Sequence, residues 1–379
     1  MNVLISSGFR WWNAEAAYAA SLAEVLREAG HGAWIIAPAG TRNAEELARR
    51  GLEPVPGLGP LAPNPLLWPA QAARLVAFQR ERRIDVVNVF RSADVPLHAW
   101  AARGAGGPRL IRTRGGAQPE RGSWLNRKLY GDWCDGVIAA CELIRRRLHA
   151  RLGLPEAGIR TIYYPVDLPP LPEPAAREAL RRDLEQALGL EPGRFLIAVV
   201  GRIAPEKGHG ALLEALAAVV QRVPEAALLI ADKAYPGEAP HRRRLEREIA
   251  RRGLQRWVRW LGFREDVRAV MGACDLGAVP SLASEMNCRV AEEFLSVATP
   301  VVAFPTGALP EVVEHGVSGW VTPTREPAAL ADALIRLAAD PAQRARLSRG
   351  ARQQAERRFS RQRFLEETLA VFAPQSVRD

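Results

Sequence analysis

The sequence predicts an α/β protein made of two doubly wound parallel-sheet domains in tandem. Short runs rich in β-branched residues alternate with amphipathic helical stretches along the whole chain, which is typical of parallel sheets covered by helices on both faces. A segment with five prolines at residues 165–174 divides this alternation into two halves. The chain has 379 residues, of which 48% are hydrophobic and 25% charged. That length suits two folded domains, and the composition excludes a mainly disordered, collagen-like or coiled-coil protein.

The first domain is expected over residues 1–167. Its predicted strands are residues 3–6, 33–37, 86–90, 110–112 and 136–139. Helices fill the gaps between them. The clearest helix is predicted at residues 14–29, where an apolar face repeats with the helical period and Gly30 provides a stop.

The second domain is expected over residues 168–355, where the alternation restarts. Its predicted strands are residues 195–200, 227–231, 258–261, 276–279, 301–304 and 319–321. The proline-rich segment before them can neither continue a helix nor pair centrally in a sheet, so it is interpreted as the inter-domain connection. The chain ends in a charged helical region, and residues 356–379 are expected to form a helix that returns to the N-terminal domain.

The charge of the chain is positive and unevenly distributed. There are 52 basic and 42 acidic side chains, which gives a formal charge of +10. Residues 1–167 hold 22 basic and 15 acidic side chains, and their difference of +7 favours an anionic ligand in the first half. No module of interleaved basic and aromatic residues accompanies this charge, so no nucleic-acid partner is expected.

Cysteine and histidine spacing indicates neither a disulfide framework nor a metal site. The four cysteines form no CxxC pair, and the six histidines show no metal-ligand spacing. No cofactor and no metal are therefore expected. The N-terminus carries no basic leader, and no run approaches the ~18 apolar residues of a membrane span. These features predict a cytoplasmic protein.

The loops that follow the strands are the places to look for ligand-binding residues, because parallel sheets bind ligands at the carboxyl ends of their strands. After the strand at 195–200 comes Gly201, which allows close backbone approach, and then Arg202 and Lys207. A planar guanidinium and a point-charge ammonium together suit a pyrophosphate group. An ordinary strand-to-helix turn with solvated charges is the alternative.

A second informative loop follows the strand at 276–279. Glu285 stands just before a predicted helix and Glu293 within it. If that helix ran straight between them, eight positions at about 1.5 Å would separate the two carboxylates by roughly 12 Å, too far for the acid and base pair of a glycosidase. The spacing suits a ligand held at two ends, a sugar at one and a ribose at the other. The adjacent Glu292 is expected to be a solvated helix charge.

Four pieces of the second half carry a family resemblance. They are GRIAPEKG at 201–208, the Glu285 and Glu293 pair, TPVVAF at 299–304 and GALPEVVEHGVSGWV at 307–321. In this order and spacing they resemble the retaining glycosyltransferases of family 4. The resemblance implies a GT-B fold of two facing Rossmann-like domains, with C-terminal helices crossing between them.

The same resemblance implies roles for individual residues. Arg202 and Lys207 would hold the nucleotide diphosphate and Glu285 the donor sugar, so these three are the expected catalytic residues. The expected donor-binding residues are Gly8, Gly201, Arg202, Lys207, Glu285, Asn287, Cys288, Arg289, Glu293 and Gly307. The chain departs from the family where Met286, Asn287 and Cys288 replace the usual Gly-Phe-Gly.

The first half supplies the expected acceptor site, in the loops that follow its strands. Its predicted residues are Arg10, Trp12, Asn13, Arg91 and Arg114. Trp12 either stacks on an acceptor sugar or packs beside the sheet. Many family members carry a histidine near residues 112–116; none of the six histidines lies there, so Arg114 or a main-chain group would take its electrostatic role.

The expected function is transfer of a sugar, with retention, from a nucleotide diphosphate sugar to a glycan or glycolipid of the cell envelope, such as lipopolysaccharide core. The mechanism would be front-face displacement without metal. The apolar and basic segment at 66–83 either contacts an anionic membrane surface peripherally or packs on the N-terminal sheet. Two other functions remain open: a non-catalytic nucleotide-sugar-binding protein, and a nicotinamide-dependent oxidoreductase, whose GxGxxG motif is missing from the loop at 6–13.

Overall fold

The computed structural model describes residues 1–59, 64–102, 106–118, 121–232, 236–283 and 285–374. These residues form two compact units. Unit 1 comprises residues 1–165 together with the chain from Arg361 onward, and unit 2 comprises Val166–Ser360. The first boundary lies two residues before the expected one, and the second lies five residues after it.

The boundary between the units lies within the proline-rich segment, between Pro165 and Val166, and the rest of that segment belongs to unit 2. A guanidinium nitrogen of Arg352 donates to the carbonyl oxygens of Pro169 (2.8 Å) and Ser296 (2.6 Å). Prolines lack an N–H but keep their carbonyl acceptors, so a proline-rich strap is anchored by donors from elsewhere.

Unit 1 contains a six-stranded parallel sheet with strand order β2-β1-β3-β4-β5-β6. The strands are β1 (Asn2–Ser6), β2 (Gly32–Ile36), β3 (Val86–Val89), β4 (Arg109–Arg114), β5 (Gly136–Ala139) and β6 (Ile159–Thr161). The first five agree with the sequence prediction to within two residues. The sixth escaped it because three residues with a central arginine give no apolar run.

Helices cover this sheet. They are α1 (Ala14–Glu28), α2 (Arg42–Arg49), α3 (Trp68–Glu81), α4 (Val95–Ala102), α5 (Trp124–Arg127) and α6 (Glu142–Leu152). Helix α1 begins where the Asn13 side chain accepts a hydrogen bond from the N–H of Ala16 at 2.8 Å. It buries Tyr18, whose hydroxyl donates to the carbonyl of Ile162 at 3.0 Å.

Unit 2 contains a second six-stranded parallel sheet, with strand order β12-β11-β10-β7-β8-β9. Its strands are β7 (Phe195–Val200), β8 (Ala226–Ala231), β9 (Val258–Gly262), β10 (Leu276–Val279), β11 (Val301–Ala303) and β12 (Gly319–Val321). All six match their predicted positions to within one residue. The predicted α/β class is confirmed for both units.

The helices of unit 2 pack on both faces of that sheet around a core of aliphatic and aromatic side chains. They are α7 (Pro174–Ala187), α8 (His209–Arg222), α9 (Ala239–Arg251), α10 (Val267–Ala273), α11 (Arg289–Ser296), α12 (Leu309–Val312), α13 (Pro327–Ala339) and α14 (Pro341–Arg358). Strands β7 and β10 are neighbours at the centre, with Leu276 opposite Ile197. The loops that follow these two strands therefore emerge side by side.

The last helix, α15 (Arg361–Phe372), belongs to unit 1. Phe364 packs edge-on against Tyr18 of α1, with ring centroids 5.1 Å apart. Arg109 at the start of β4 donates to the carbonyls of Val371 and Phe372 near the end of α15. In the part of the chain that the structure describes, no helix combines the length and the apolar character needed to cross a bilayer.

Candidate functional site

The loops after β7 and β10 form one surface at the carboxyl edge of the unit 2 sheet. The first passes through Gly201 into a single 3-10 turn at Pro205–Lys207 and then enters α8. The carbonyl of Glu206 in this turn accepts a hydrogen bond from the N–H of Leu282, in the second loop, at 2.8 Å. The two loops that the sequence singled out are thus joined directly.

The close approach of these loops requires glycine at position 208. Gly208 has φ +74°, and a Cβ atom there would overlap the carbonyl oxygen of Pro280. Left-handed backbone is open to glycine at little cost, and the absent side chain lets the two backbones touch. Gly208 therefore fixes the position of Lys207, the residue before it.

Lys207 and Glu285 lie together in this surface. The Lys207 ammonium donates to Oε1 of Glu285, and the Ser281 hydroxyl donates to the same oxygen at 2.7 Å. The main chain of Glu285 is also fixed, because its carbonyl accepts from the N–H of Ala308 at 2.7 Å. Gly307, at φ +59°, passes so close that a Cβ atom would overlap that carbonyl. Three predicted residues, Lys207, Glu285 and Gly307, are thereby brought into one cluster.

Glu293 lies on α11 and is held by its helix neighbour. The guanidinium of Arg289 donates to Glu293 Oε1 at 2.9 Å, one turn away. Helix α11 begins only at Arg289, and Cys288 before it is left-handed, with φ +43°. The straight helix assumed for the 12 Å separation of the two carboxylates therefore does not exist between 285 and 288. Cys288 adopts the left-handed backbone conformation that glycine, the family's usual residue at this position, takes at little energetic cost.

Arg202 is engaged by two carboxylates. Its guanidinium donates to Glu238 at 2.7 Å and to Glu206 at 2.9 Å. Glu238 lies 36 residues away along the chain, so no local sequence pattern indicates this pairing. Beside Arg202 and Gly201 lies a cavity of about 200 Å³, bounded by the ends of β8 and β9 through Asp232 and Phe263.

Glu292 is not a solvated helix charge, and that expectation is wrong. It is fully buried, and neither carboxylate oxygen has a hydrogen-bond partner among the described residues. Burial raises the pKa of Glu292 well above its ordinary value; the charge of Glu293 adds to this, and those of Arg289 and Arg358 oppose it. One residue corresponds to about 100° around a helix, so Glu292 faces inward where α11 packs on α14.

In unit 1, the loop after β1 is tied to the loop after β3. Arg91 donates to the carbonyl of Gly8 at 2.5 Å. From α2, the Asn43 amide donates to the carbonyls of Ser7 (3.1 Å) and Phe9 (3.0 Å). Gly8, predicted as a donor-binding residue, is thus a buried, clamped position in a loop at the carboxyl edge of the sheet.

Arg114 ends strand β4 at the same edge. It lies 3.6 Å from Oε1 of Glu15, which also accepts from the N–H of Gly115 at 3.0 Å, and it donates to the carbonyl of Gln118 at 2.8 Å. Because β1, β3 and β4 are neighbours in the sheet, Arg91 and Arg114 follow adjacent strands. These two predicted acceptor residues share one edge of unit 1.

The other three predicted acceptor residues are arranged differently. Asn13 uses its side-chain oxygen to cap α1. Trp12 packs against Arg50, whose guanidinium carbon lies 4.8 Å from the ring centroid, so it has an intramolecular partner. Arg10 is exposed, and the neighbouring Trp11 is exposed to 72%.

Within the described ranges, no group of three or more His, Cys, Asp or Glu side chains is placed to hold a metal ion. Sequence analysis missed Ser281, Glu206 and Glu238, the partners that orient Glu285 and Arg202. The sequence could have indicated Ser281, because it lies in the same loop as Glu285 and follows β10 almost directly.

Comparison with known proteins finds a matching glycosyltransferase family for each half of the chain. Residues 181–354 match the family described as glycosyl transferases group 1, and residues 16–169 match glycosyltransferase family 4. Among curated proteins, a D-inositol 3-phosphate glycosyltransferase of Saccharomonospora viridis is 37% identical over 57% of this chain and 50% of its own length. An alpha-D-kanosaminyltransferase of Streptomyces kanamyceticus is 32% identical over 47% of this chain and 45% of its own. The chain spans about half the length of these curated relatives.

Solved structures match along nearly the whole chain. HepE of Anabaena, in complex with UDP, superimposes with a TM-score of 0.82 and 23% identity over 98% of this chain and 99% of its own. A glycosyltransferase from Rickettsia africae gives 0.84 and 18% over 98% and 97%. These likenesses confirm the predicted GT-B fold.

The contact at Gly208 makes a prediction about stability. We expect Gly208→Ala to lower the free energy of unfolding by at least ~2 kcal/mol, because it adds left-handed strain to an overlap with Pro280. Gly210→Ala is the matched control: it lies in the first turn of α8 with open space around it, and should raise stability by up to about 1 kcal/mol. Urea unfolding measures both. Equal stabilities for the two variants would show that the loops are not in contact.

Buried Glu292 makes a prediction about pH. The raised pKa means that the folded state keeps a proton that the unfolded chain releases above about pH 4.5. Stability from this group is complete below that pH and is lost as pH rises toward the folded pKa. Glutamine at this position does not titrate. The free energy of unfolding of Glu292→Gln, relative to that of the parent, should therefore increase by up to ~1.4 kcal/mol for each unit that the pH rises. Urea unfolding between pH 5 and 9 measures this. Glu225→Gln, at an exposed position, is the control, and a constant difference for Glu292→Gln would contradict the prediction.

Proposed function

We propose that this chain, which belongs to the family 4 glycosyltransferases, transfers a sugar from a nucleotide diphosphate sugar to an anionic acceptor with retention at the anomeric carbon. The observation that carries this proposal is the cluster of Lys207, Glu285 and Ser281 beside Gly307. It presents a cation for a diphosphate and a carboxylate for sugar hydroxyls on one rigid surface, at the edge where parallel sheets bind ligands.

Glu285 acts as a binding group rather than a nucleophile in this proposal. One of its oxygens already accepts hydrogen bonds from Lys207 and Ser281, and those bonds fix the direction of the carboxylate. The second carboxylate oxygen remains for donor hydroxyls. A front-face displacement follows. The bond from the anomeric carbon to the diphosphate oxygen breaks while the acceptor hydroxyl oxygen bonds to that carbon on the same face; Lys207 offsets the charge that develops on the diphosphate, and the departing oxygen takes the hydroxyl proton. Stabilising charge at the leaving group is the kind of electrostatic effect that supplies most of a rate enhancement.

Arg202 assists through its planar guanidinium. Its charge is balanced by Glu206 and Glu238. A diphosphate carries more charge than either carboxylate and offers the same forked geometry, so it competes for these donors. The two glutamates hold Arg202 near Gly201 until the donor arrives.

The nucleoside is assigned to the same carboxyl edge of the unit 2 sheet, at Glu293 and the cavity beside Gly201. Glu293, fixed by Arg289, accepts hydrogen bonds from ribose hydroxyls. The cavity of about 200 Å³ next to Gly201 and Phe263 takes the base. Because the HepE structure was determined with UDP, a uridine diphosphate sugar is the first donor to test.

The acceptor is assigned to unit 1. Arg91 and Arg114 follow adjacent strands there, and residues 1–167 carry a charge of +7. The similar enzyme of Saccharomonospora viridis is named for an inositol phosphate, which is an anion. Phosphorylated polyols, lipid-linked glycans and lipopolysaccharide core share this anionic chemistry and are the acceptor class that we propose.

Peripheral contact with an anionic membrane surface belongs to the same proposal, for a protein working in the cytoplasm. Leu66 and Leu67 are exposed, the former to 85%, just before α3. Leu75 of α3 is buried, and Phe78 packs edge-on against Trp34, so one face of this helix packs within unit 1. The contact is therefore limited to the exposed pair and to nearby arginines.

The donor assignment makes a prediction that separates three residues. We expect Glu293→Ala to weaken UDP binding by ~1.5 to 3 kcal/mol, the range for hydrogen bonds to a charged group. Lys207→Ala should weaken UDP much more than uridine, because only UDP has the diphosphate. Glu285→Ala should mainly lower donor turnover, because contacts to the sugar matter most as it gains oxocarbenium character. Calorimetry with UDP and uridine, and consumption of UDP-glucose, measure these effects.

The exposed Glu225→Ala is the control for all three and should behave like the parent. UDP affinity unchanged in both Lys207→Ala and Glu293→Ala would contradict the assignment. UDP binding without consumption of any nucleotide sugar, tested over a panel of anionic acceptors, would favour a non-catalytic binding protein.

Metal independence is a separate prediction. Lys207, Arg202 and the N-terminus of α8 supply positive charge for the leaving group, so no divalent ion is required in the proposed step. We expect consumption of UDP-glucose to continue after EDTA treatment. Loss of turnover that manganese or magnesium restores would contradict it.

A further inference from the structure

A buried aspartate lies directly beneath the loop that follows β1. Asp94 is 2% exposed, and its Oδ2 has no hydrogen-bond partner among the described residues. A Cβ atom at Gly8 would overlap this oxygen, so the carboxyl group rests against the loop itself. A buried carboxylate oxygen without a donor is costly, which makes this position unusual for a merely structural side chain.

Two arginines face this carboxyl group. Arg91 lies 4.0 Å from Oδ1 of Asp94 and donates to the carbonyl of Gly8. Arg112, from β4, is buried and donates to the carbonyls of Val89 (2.8 Å) and Thr113 (2.9 Å). The Asp94 carboxylate therefore partly offsets the charge of Arg91. Of the two arginines, Arg91 is the one that was predicted to bind the acceptor.

The remaining groups around Asp94 leave it as the titrating group. Burial raises the pKa of Asp94 to about 6, against the opposing effects of Arg91, Arg112 and the Ser6 hydroxyl. His98, one turn further along in α4, is buried, and burial lowers its pKa to about 4, so it is neutral near pH 7. A carboxyl group next to an anion site thus changes charge close to neutral pH.

We propose that Asp94 is a positioning residue of the acceptor site, and that it takes up a proton when an anion binds to Arg91. The inference rests on the proposed function in placing the acceptor at this edge of unit 1. An anion on Arg91 brings a second negative charge near the carboxylate and competes with it for one guanidinium. Like charges disfavour ionisation, so the carboxylate becomes a neutral acid as the anion settles.

This coupling fixes the direction of a pH effect. If anion binding is linked to proton uptake, affinity for the anion rises as pH falls from 8 to 6. A side chain that is permanently neutral at position 94 holds the site in its high-affinity form at every pH. Asn is nearly the same size as Asp, so Asp94→Asn alters charge while leaving the packing beneath Gly8 in place.

Isothermal titration calorimetry with inorganic sulfate tests this, because sulfate does not titrate between pH 6 and 8. Saturating UDP is included to occupy the donor site in unit 2. For the parent we expect affinity for sulfate to fall about tenfold from pH 6 to pH 8, with a heat that depends on the buffer and so reports proton uptake. Asp94→Asn should bind at pH 8 as the parent does at pH 6, without proton uptake. Arg91→Gln should abolish the binding.

Asp132→Asn is the matched control, since Asp132 is a solvent-exposed aspartate of the same unit, and it should keep the parent's pH dependence. Three results would overturn the inference: no sulfate binding by the parent, the parent's pH dependence retained in Asp94→Asn, or loss of binding at every pH in a folded Asp94→Asn. Failure of the proposed function is distinguishable, because it would appear as absent UDP binding or absent donor turnover while the sulfate effect persisted.

Discussion

The close approach of Gly208 to the carbonyl of Pro280 is the constraint on which the candidate site depends. Because β7 and β10 pair in parallel, the loops that follow them emerge side by side. The absence of a side chain at Gly208 allows the backbones of these two loops to touch. Lys207 then meets Glu285 across the junction, although 78 residues separate them along the chain. A Cβ atom at position 208 would push the loops apart, so the contact between Lys207 and Glu285 depends on glycine at that position.

The cations of this surface are paired with carboxylates of the same chain. Arg202 lies between Glu206 and Glu238, Arg289 is paired with Glu293, and Lys207 with Glu285. Such pairs hold long side chains in defined directions, which reduces the entropy lost on binding. In the proposed function, a donor would then exchange one anion for another rather than order free cations.

Unit 1 uses its charges differently. Arg91 and Arg112 are anchored on main-chain carbonyls, and a buried carboxyl group, Asp94, lies between the loop after β1 and the sheet. Carbonyl anchors fix an arginine without neutralising it. Of these two arginines Arg112 is buried and Arg91 is partly exposed, so the charge that an anion can reach is that of Arg91, which lies 4.0 Å from Asp94.

The sequence by itself determined the secondary structure, because apolar periodicity reports element type: eleven of the twelve strands were predicted, and only the short β6 gave no signal. It also indicated Lys207, Glu285 and Arg91, since their loops directly follow strands, whereas Gly307 was predicted only through the family resemblance. Tertiary structure alone decided the rest. Glu292 is buried on the packed face of α11, and Glu238 reaches Arg202 only because β7 and β8 pair in the fold. Such outcomes depend on which surfaces pack together, and local sequence patterns carry no information about a distant packing partner.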